Sequence, residues 1–248
     1  MKVGKVRTVK MENLKFDSQL FRPMKSGRVI DAHFSSEGGL MKGTNYAIVG
    51  DPGIGKTTVM LDMLADLKKK GQKVLFISGE MNQIDMYGYV KRYPKFGQLD
   101  ILFMGDYCDD NCLDVIKNVL TEGYDTVLID SMAEIVNGVV DTAKGYYSSK
   151  KAETDILNLF EQHNMADNDG KINTSFLVIQ QVTKQGEFAG SNRFKHMMTG
   201  MAHMKFTKEG DRLFFLSKNR RGGDMSKRMF NLSTPNRIGW LGTYVDEI

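Results

Sequence analysis

The chain has two cysteines, Cys108 and Cys112, in 248 residues. Two thiolates are too few for a four-ligand zinc site, and the acidic residues near them are poor substitutes. A disulfide between them does not suit a reducing compartment, so both are read as plain thiols. Long apolar runs are lacking as well, and none approaches the ~20 residues that a membrane helix needs. The N-terminus, Met1-Lys2-Val3-Gly4-Lys5-Val6-Arg7, has no apolar core of a secretory signal, which makes the cytoplasm the expected location. Charge of one sign is in modest excess, +4, which permits a nucleic-acid partner without requiring one. There is no internal repeat, no low-complexity segment and no sign of a second domain.

What is present is an ordinary globular composition, 41% apolar and 26% charged, with length enough for one sizeable α/β domain. Seventeen methionines are many, and most are expected in the core, where their flexible chains fill irregular gaps.

The stretch Gly50-Asp51-Pro52-Gly53-Ile54-Gly55-Lys56-Thr57 fits the G-x-x-x-x-G-K-[ST] phosphate-binding loop. Its glycines let backbone N–H groups turn inward around phosphate oxygens. Lys56 can reach the β- and γ-phosphates, and the Thr57 hydroxyl can hold Mg²⁺, with Thr58 completing the loop. The flanks supply the required context. Asn45 to Val49 reads as a short buried strand, and Val59, Met60, Met63, Leu64 and Leu67 fall at helical spacing. Lys68-Lys69-Lys70 and then Gly71 mark that helix's end. Its N-terminus points free N–H groups and a positive dipole at the phosphates. The expected ligand is therefore ATP or ADP with Mg²⁺.

From about residue 36, strands and helices alternate. Val74–Ile77, Ile101–Met104, Thr126–Ile129 and Phe176–Ile179 are apolar strands, and Leu213–Leu216 with Met229–Leu232 read as a closing pair. Continuous apolar strands separated by helices predict an α/β fold, a mostly parallel central sheet with helices on both faces. Residues 1–35 are basic and weakly patterned. They read as an arm, either flexible or docking Leu14, Phe16, Leu20 and Phe21 on a neighbouring subunit, ahead of a domain over 36–248. Asp167-Asn168-Asp169-Gly170 looks like a fragment of a calcium loop, but Met165 stands where that pattern needs an acid, so a surface turn is expected.

In open α/β sheets, ligands sit at the carboxyl ends of the strands. Asp130 ends one strand, as expected of a carboxylate that holds Mg²⁺. Glu80 ends another and can activate the attacking water; on its own it would read as a solvated strand-end acid. Gln181 ends a third and can report the γ-phosphate to the loop that follows.

These residues carry a resemblance. The P-loop, Ser78-Gly79-Glu80 and Leu128-Ile129-Asp130-Ser131 look like a RecA-type ATPase core. Val182-Thr183-Lys184-Gln185-Gly186-Glu187-Phe188-Ala189-Gly190 with His196-Met197, and Lys218-Asn219-Arg220-Arg221-Gly222, resemble the RadA/Sms branch-migration ATPases. The Lys-x-Arg element is also similar to the finger that DnaB-type replicative helicases insert into a neighbouring subunit. The likeness covers roughly residues 36–245. It departs from RadA at Gln181, where RadA has a His, and at Arg221, where RadA has a Phe. The four ligand cysteines of RadA's zinc finger are not available from two, and the Lon-protease-like domain is not expected in a chain stopping at Ile248. The resemblance implies a stand-alone motor domain of the kind expected in phages or mobile elements.

It further implies a homo-oligomer, a ring (a hexamer) or a filament, with Lys218 and Arg220 acting in trans on the next subunit's nucleotide. Without it, Lys-Asn-Arg-Arg reads as a solvated basic turn. The family holds DNA on the loops near 138–150 and 183–197, which assigns single-stranded DNA binding to Lys184, Arg193 and Lys195. Tyr146, Tyr147 and Phe188 are either base-stacking rings or ordinary loop aromatics. The expected activity is DNA-stimulated ATP hydrolysis driving helicase or branch-migration work. The rivals are a strand-exchange recombinase, a non-motor KaiC-like regulatory ATPase and a small-molecule kinase.

Overall fold

A computed structural model describes residues 8–166, 172–181 and 191–245. The centre is the strand–loop–helix unit expected from sequence: β1 (Asn45–Gly50), then α2 (Lys56–Lys69), with α1 (Asp31–Phe34) before them. Helix α2 stops as its sequence dictates. Gly71, at φ +89°, donates to the Lys68 carbonyl, and Gln72 donates to that of Leu67, which satisfies two carbonyls the helix leaves free.

The chain continues through β2 (Val74–Ser78), α3 (Gln83–Arg92), β3 (Asp100–Phe103), α4 (Cys112–Leu120), β4 (Thr126–Asp130), α5 (Met132–Asp141), α6 (Ser149–Asn164) and β5 (Ser175–Gln180). It then forms α7 (Asn192–Met197), β6 (Gly200–Phe206), β7 (Arg212–Asn219), β8 (Lys227–Asn231) and β9 (Gly239–Tyr244). All nine strands form one sheet, in the order β3-β2-β4-β5-β1-β6-β7-β8-β9. The six from β3 to β6 run parallel, and β7, β8 and β9 extend the sheet antiparallel.

Because side chains alternate across a strand, each parallel strand feeds two cores. Tyr46 and Ile48 face a core with Val59, Met60, Met63 and Leu64 of α2 and Phe34 of α1. Ala47 and Val49 face the other, with Ile116 of α4, Ile135 of α5 and Phe160 of α6. This is the α/β sheet with helices on both faces that the sequence predicts. The closing strand pair is β7 and β8. Elements α1, α3, α5, α7, β6 and β9 were not legible; α1 falls in the expected arm and α7 in the stretch 183–197 read as a loop. Strand β6, Gly-Met-Ala-His-Met-Lys-Phe, mixes small, flexible and polar residues, so neither period stands out.

The packed body also reaches back past the expected boundary at 36. Met24 pairs with Leu40 in a short bridge, and Met24, Ile30 and Phe34 are core residues. The Asp31 carboxylate accepts from the Ser26 and Gly27 backbone N–H groups and from the Ser26 hydroxyl, which fixes the turn into α1. The described stretch before Met24, with Val9, Met11, Leu14, Phe16 and Phe21 exposed, adds no residue to the core. The turn expected at 167–170 lies outside the described residues.

Truncation before Pro23 is therefore expected to leave the unfolding midpoint unchanged. Phe34→Ala is expected to lower stability by ~3–5 kcal/mol through the cavity it opens. Chemical denaturation checks both, and a large loss on truncation would place the start of the domain earlier.

Candidate functional site

The parallel registers set the site. Gly50 follows Val49, which pairs with Gln180; Asp130 pairs with Ser78 and with Ile179. Four strands thus end level, and the residues at their ends converge on one cavity of about 470 Å³. Its lining includes Gly50, Gly55, Lys56, Thr57, Glu80, Asp130 and Gln181.

Each glycine of the loop has its reason. A Cβ on Gly50 would sit 2.3 Å from the Met204 carbonyl oxygen of β6, so no larger residue fits. Gly53 and Gly55 adopt φ +73° and +103°, where L side chains are strained. Between them Ile54 is fully buried and pins the loop to the core. The Lys56 ammonium folds back, donating to the Gly50 carbonyl at 2.8 Å and the Asp51 carbonyl at 3.0 Å. Burial lowers its pKa, and the nearby charges of Asp130, Glu80 and Asp51 pull the other way.

The Thr57 hydroxyl donates to Asp130 Oδ2 at 2.5 Å. Asp130 is 3% exposed, and its pKa is pushed up to about 6, first by burial and then by the Glu80 charge; the Thr57 hydrogen bond and Lys56 oppose that rise. Gln181 Nε2 donates to Glu80 Oε1 at 2.8 Å, so the two strand-end residues face each other.

This donor set fits a nucleoside polyphosphate with a divalent cation. The cradle is backbone, kept open by glycine, at the N-terminus of a 14-residue helix. The Lys56 cation is held for want of a better partner by two neutral carbonyls. Thr57 and Asp130 present two hard oxygens side by side, and Mg²⁺ characteristically takes one or two protein ligands and completes its shell with phosphate and water.

Four cavity residues were missed from sequence: Tyr89 and Arg92 of α3, Ile179 of β5, and Leu232 after β8. The Arg92 guanidinium lies over the Tyr89 ring, 4.8 Å from its centre. The i, i+3 pair was the available signal, hidden because α3 itself was not recognised.

Lys218 and Arg220 lie elsewhere. Gly200 pairs with Asn219, whereas Gly50 pairs with Met204, four steps up β6, or ~13 Å along the strands. Both cations reach the carbonyls of α7, Lys218 to Lys195 at 2.6 Å and Arg220 to His196 at 2.8 Å. They share a side, as the strand alternation predicts, but at the end of the sheet away from their own P-loop. Between them Asn219 turns inward, accepting from the Tyr46 hydroxyl and donating to the His33 and Phe34 carbonyls.

Of the three cations assigned to DNA, Lys184 lies outside the described residues, as does Phe188. Arg193 is exposed and donates to Asn158 at 2.6 Å, and Lys195 is exposed on the same short helix. Tyr146 is 97% exposed, whereas the Tyr147 hydroxyl donates to the Asp155 carboxylate of α6. Cys108 and Cys112 are both free thiols; burial pushes Cys112 up to about 11.

The loop geometry predicts the response to one added methyl. In Gly55→Ala the new Cβ would lie 2.8 Å from Leu232 Cδ1, on a backbone at φ +103°. A loss of ~1–2 kcal/mol is expected from the backbone alone. Adding Leu232→Ala removes the contact but not the strain, so denaturation of the double variant should show no full recovery; complete rescue would refute the strain account.

No family model matches the chain. It is similar to the DNA repair protein RadA of Campylobacter jejuni, 26% identical over 207 residues, which cover 81% of this chain and 43% of that protein. It is similar to the DNA repair protein RadA of Helicobacter pylori strain 26695, 29% identical over 205 residues, covering 79% and 41%. The chain thus spans less than half the length of these curated relatives. Among solved structures, a KaiC-like protein from Pyrococcus horikoshii OT3 superposes with a TM-score of 0.64 at 19% identity, covering 89% of this chain and 99% of that one. The flagellar accessory protein FlaH from Methanocaldococcus jannaschii gives 0.62 at 12% identity, covering 82% and 92%. The strand order, the P-loop cradle and these likenesses together make the chain a RecA-type P-loop core related to RadA.

Proposed function

We propose that the chain is an ATP-hydrolysing motor that assembles head to tail, as a ring (a hexamer) or a filament, and acts on single-stranded DNA in replication or recombination. The observation that carries this reading is the Gln181–Glu80 hydrogen bond at the mouth of the P-loop cavity. It ties the residue suited to activate water to the one that opens the stretch toward α7, where Arg193 and Lys195 sit. The RadA relatives, named as DNA repair proteins, support a task on DNA.

In the proposed reaction the loop N–H groups and the α2 N-terminus hold the phosphates. Lys56 leaves the Gly50 and Asp51 carbonyls for β- and γ-phosphate oxygens. Thr57 and Asp130 would hold Mg²⁺, which would supply positive charge to offset that on the transferring phosphoryl group. Glu80 accepts the proton of the water that attacks the γ-phosphorus, as the bond to the ADP oxygen breaks. Gln181, released from Glu80, carries the change of state into the residues that follow it. Lys218 and Arg220 have no route to their own nucleotide from the far end of the sheet, so they serve the next subunit's. A cation supplied in this way can contribute ~10³–10⁵ in rate.

The deciding experiment is ATP hydrolysis with and without single-stranded DNA, paired with the mass of the assembly. Lys56→Ala is expected to abolish hydrolysis, and Glu80→Gln to keep ATP binding while losing it. Arg220→Ala subunits should hydrolyse poorly alone, yet recover activity when mixed with Lys56→Ala subunits, because some interfaces then pair an intact loop with an intact finger. No recovery at any ratio, with mixed assembly confirmed by mass, would exclude the shared site. Turnover indifferent to DNA would remove the motor reading.

A further inference from the structure

Beyond β6 the sheet carries a surface that the nucleotide chemistry does not use. The helices α4, α5 and α6 pack on the face that bears Ala47 and Val49 of β1, and Met201 of β6 belongs to that core. By alternation His203 and Lys205 lie on the same face of β6. Their antiparallel partners on β7 are Phe215 and Leu213. Helix α1 packs on β7 from the opposite side, where Phe34 meets Phe214. On the first side, among the described residues, the strands hold an open groove of about 480 Å³.

The lining of this groove interleaves cations with rings. Lys205, Lys208 and Lys227 line it together with Phe206, Phe215 and Tyr244. Phe215 stacks on His203, ring centres 5.3 Å apart, so its plane is fixed. The Lys227 ammonium stands 5.8 Å from the centre of that ring, and Tyr244 is Lys227's partner on β9. Phe206 is 40% exposed. Glu209 is the one acid among the lining residues.

We propose that this open face of β6–β9 is a second contact surface for single-stranded nucleic acid, separate from the stretches near 138–150 and 183–197. Its lysines meet phosphates, and Phe215 and Tyr244 stack on unpaired bases. Lysines gathered around one groove attract a polyanion. Rings set between the cations suit a ligand with exposed aromatic faces, which single strands offer and duplexes keep inside their stack. An acidic protein segment would use the lysines and leave the rings idle. The surface also adjoins the cavity, since Lys205 and Phe206 directly follow Met204, the partner of Gly50. The proposal rests on the reading that the chain binds single strands, and its test separates the two.

The probe is an oligothymidylate carrying 5-iodouracil, photocrosslinked to the unaltered protein, with the attachment points mapped by mass spectrometry. Crosslinks on the peptides with Phe206, Phe215 or Tyr244 are expected. Crosslinks confined to residues 138–150 and 183–197 overturn this surface and leave the motor reading standing. No crosslink and no binding to the oligonucleotide overturn both. In fluorescence anisotropy, the Lys205→Ala/Lys208→Ala/Lys227→Ala variant should bind oligothymidylate at least tenfold more weakly. Its plot of log affinity against log salt should be shallower by about 2, at ~0.7 per lost phosphate contact. An unchanged slope, or a change in assembly mass with DNA affinity intact, would instead make the groove a contact between protein chains and refute the proposal.

Discussion

Parallel strand register is the constraint on which the rest depends. Level pairing across β2, β4, β5 and β1 brings Glu80, Asp130, Gln181 and the P-loop to one edge of the sheet. A slip of one residue in any of these strands would turn its buried side chains to the other face and move its end residue out of reach. The two cores enforce the register because both faces of β1, β2, β4 and β5 are buried, leaving no cheap alternative pairing. The chemistry of the cavity is thus held by hydrophobic packing some distance below it.

Within that frame the polar groups at the edge are poised rather than satisfied. Asp130 is a buried carboxylate whose main partner is one hydroxyl, and burial disfavours its charge. Lys56 is a half-buried cation resting on two carbonyls, and burial disfavours its charge too. Each is the kind of group that gains from a ligand of opposite charge. Tyr89, Arg92 and Leu232 close the cavity's flank, drawn from an amphipathic helix and from the antiparallel extension. The site therefore unites residues from nearly the full length of the described chain.

The extension β7–β9 gives the sheet its second character. It places Lys218 and Arg220 at the end opposite the P-loop and anchors them on α7 carbonyls. It sets Lys227 of β8 across an open groove from Lys205 of β6. The antiparallel direction of β7 is responsible, since it carries the chain from one end of the sheet to the other in eight residues.

The sequence by itself determined what is local in origin. Fixed spacing gave the P-loop, the 3.6-residue period gave α2, Gly71 gave its end, and apolar runs gave the parallel strands. Asp130, Glu80 and Gln181 were legible because a polar residue ending an apolar run needs no knowledge of its neighbours. Tertiary structure alone decided which strand ends lie level, that Gln181 faces Glu80, and that Arg92 and Leu232 reach the cavity. It alone decided that the body begins before Phe34 and that Lys218 and Arg220 stand at the far end of the sheet. The reason is that hydrogen-bonded pairing joins residues distant in the chain. Asn45 and Phe176 are partners across 131 positions, and no pattern within either segment records the other.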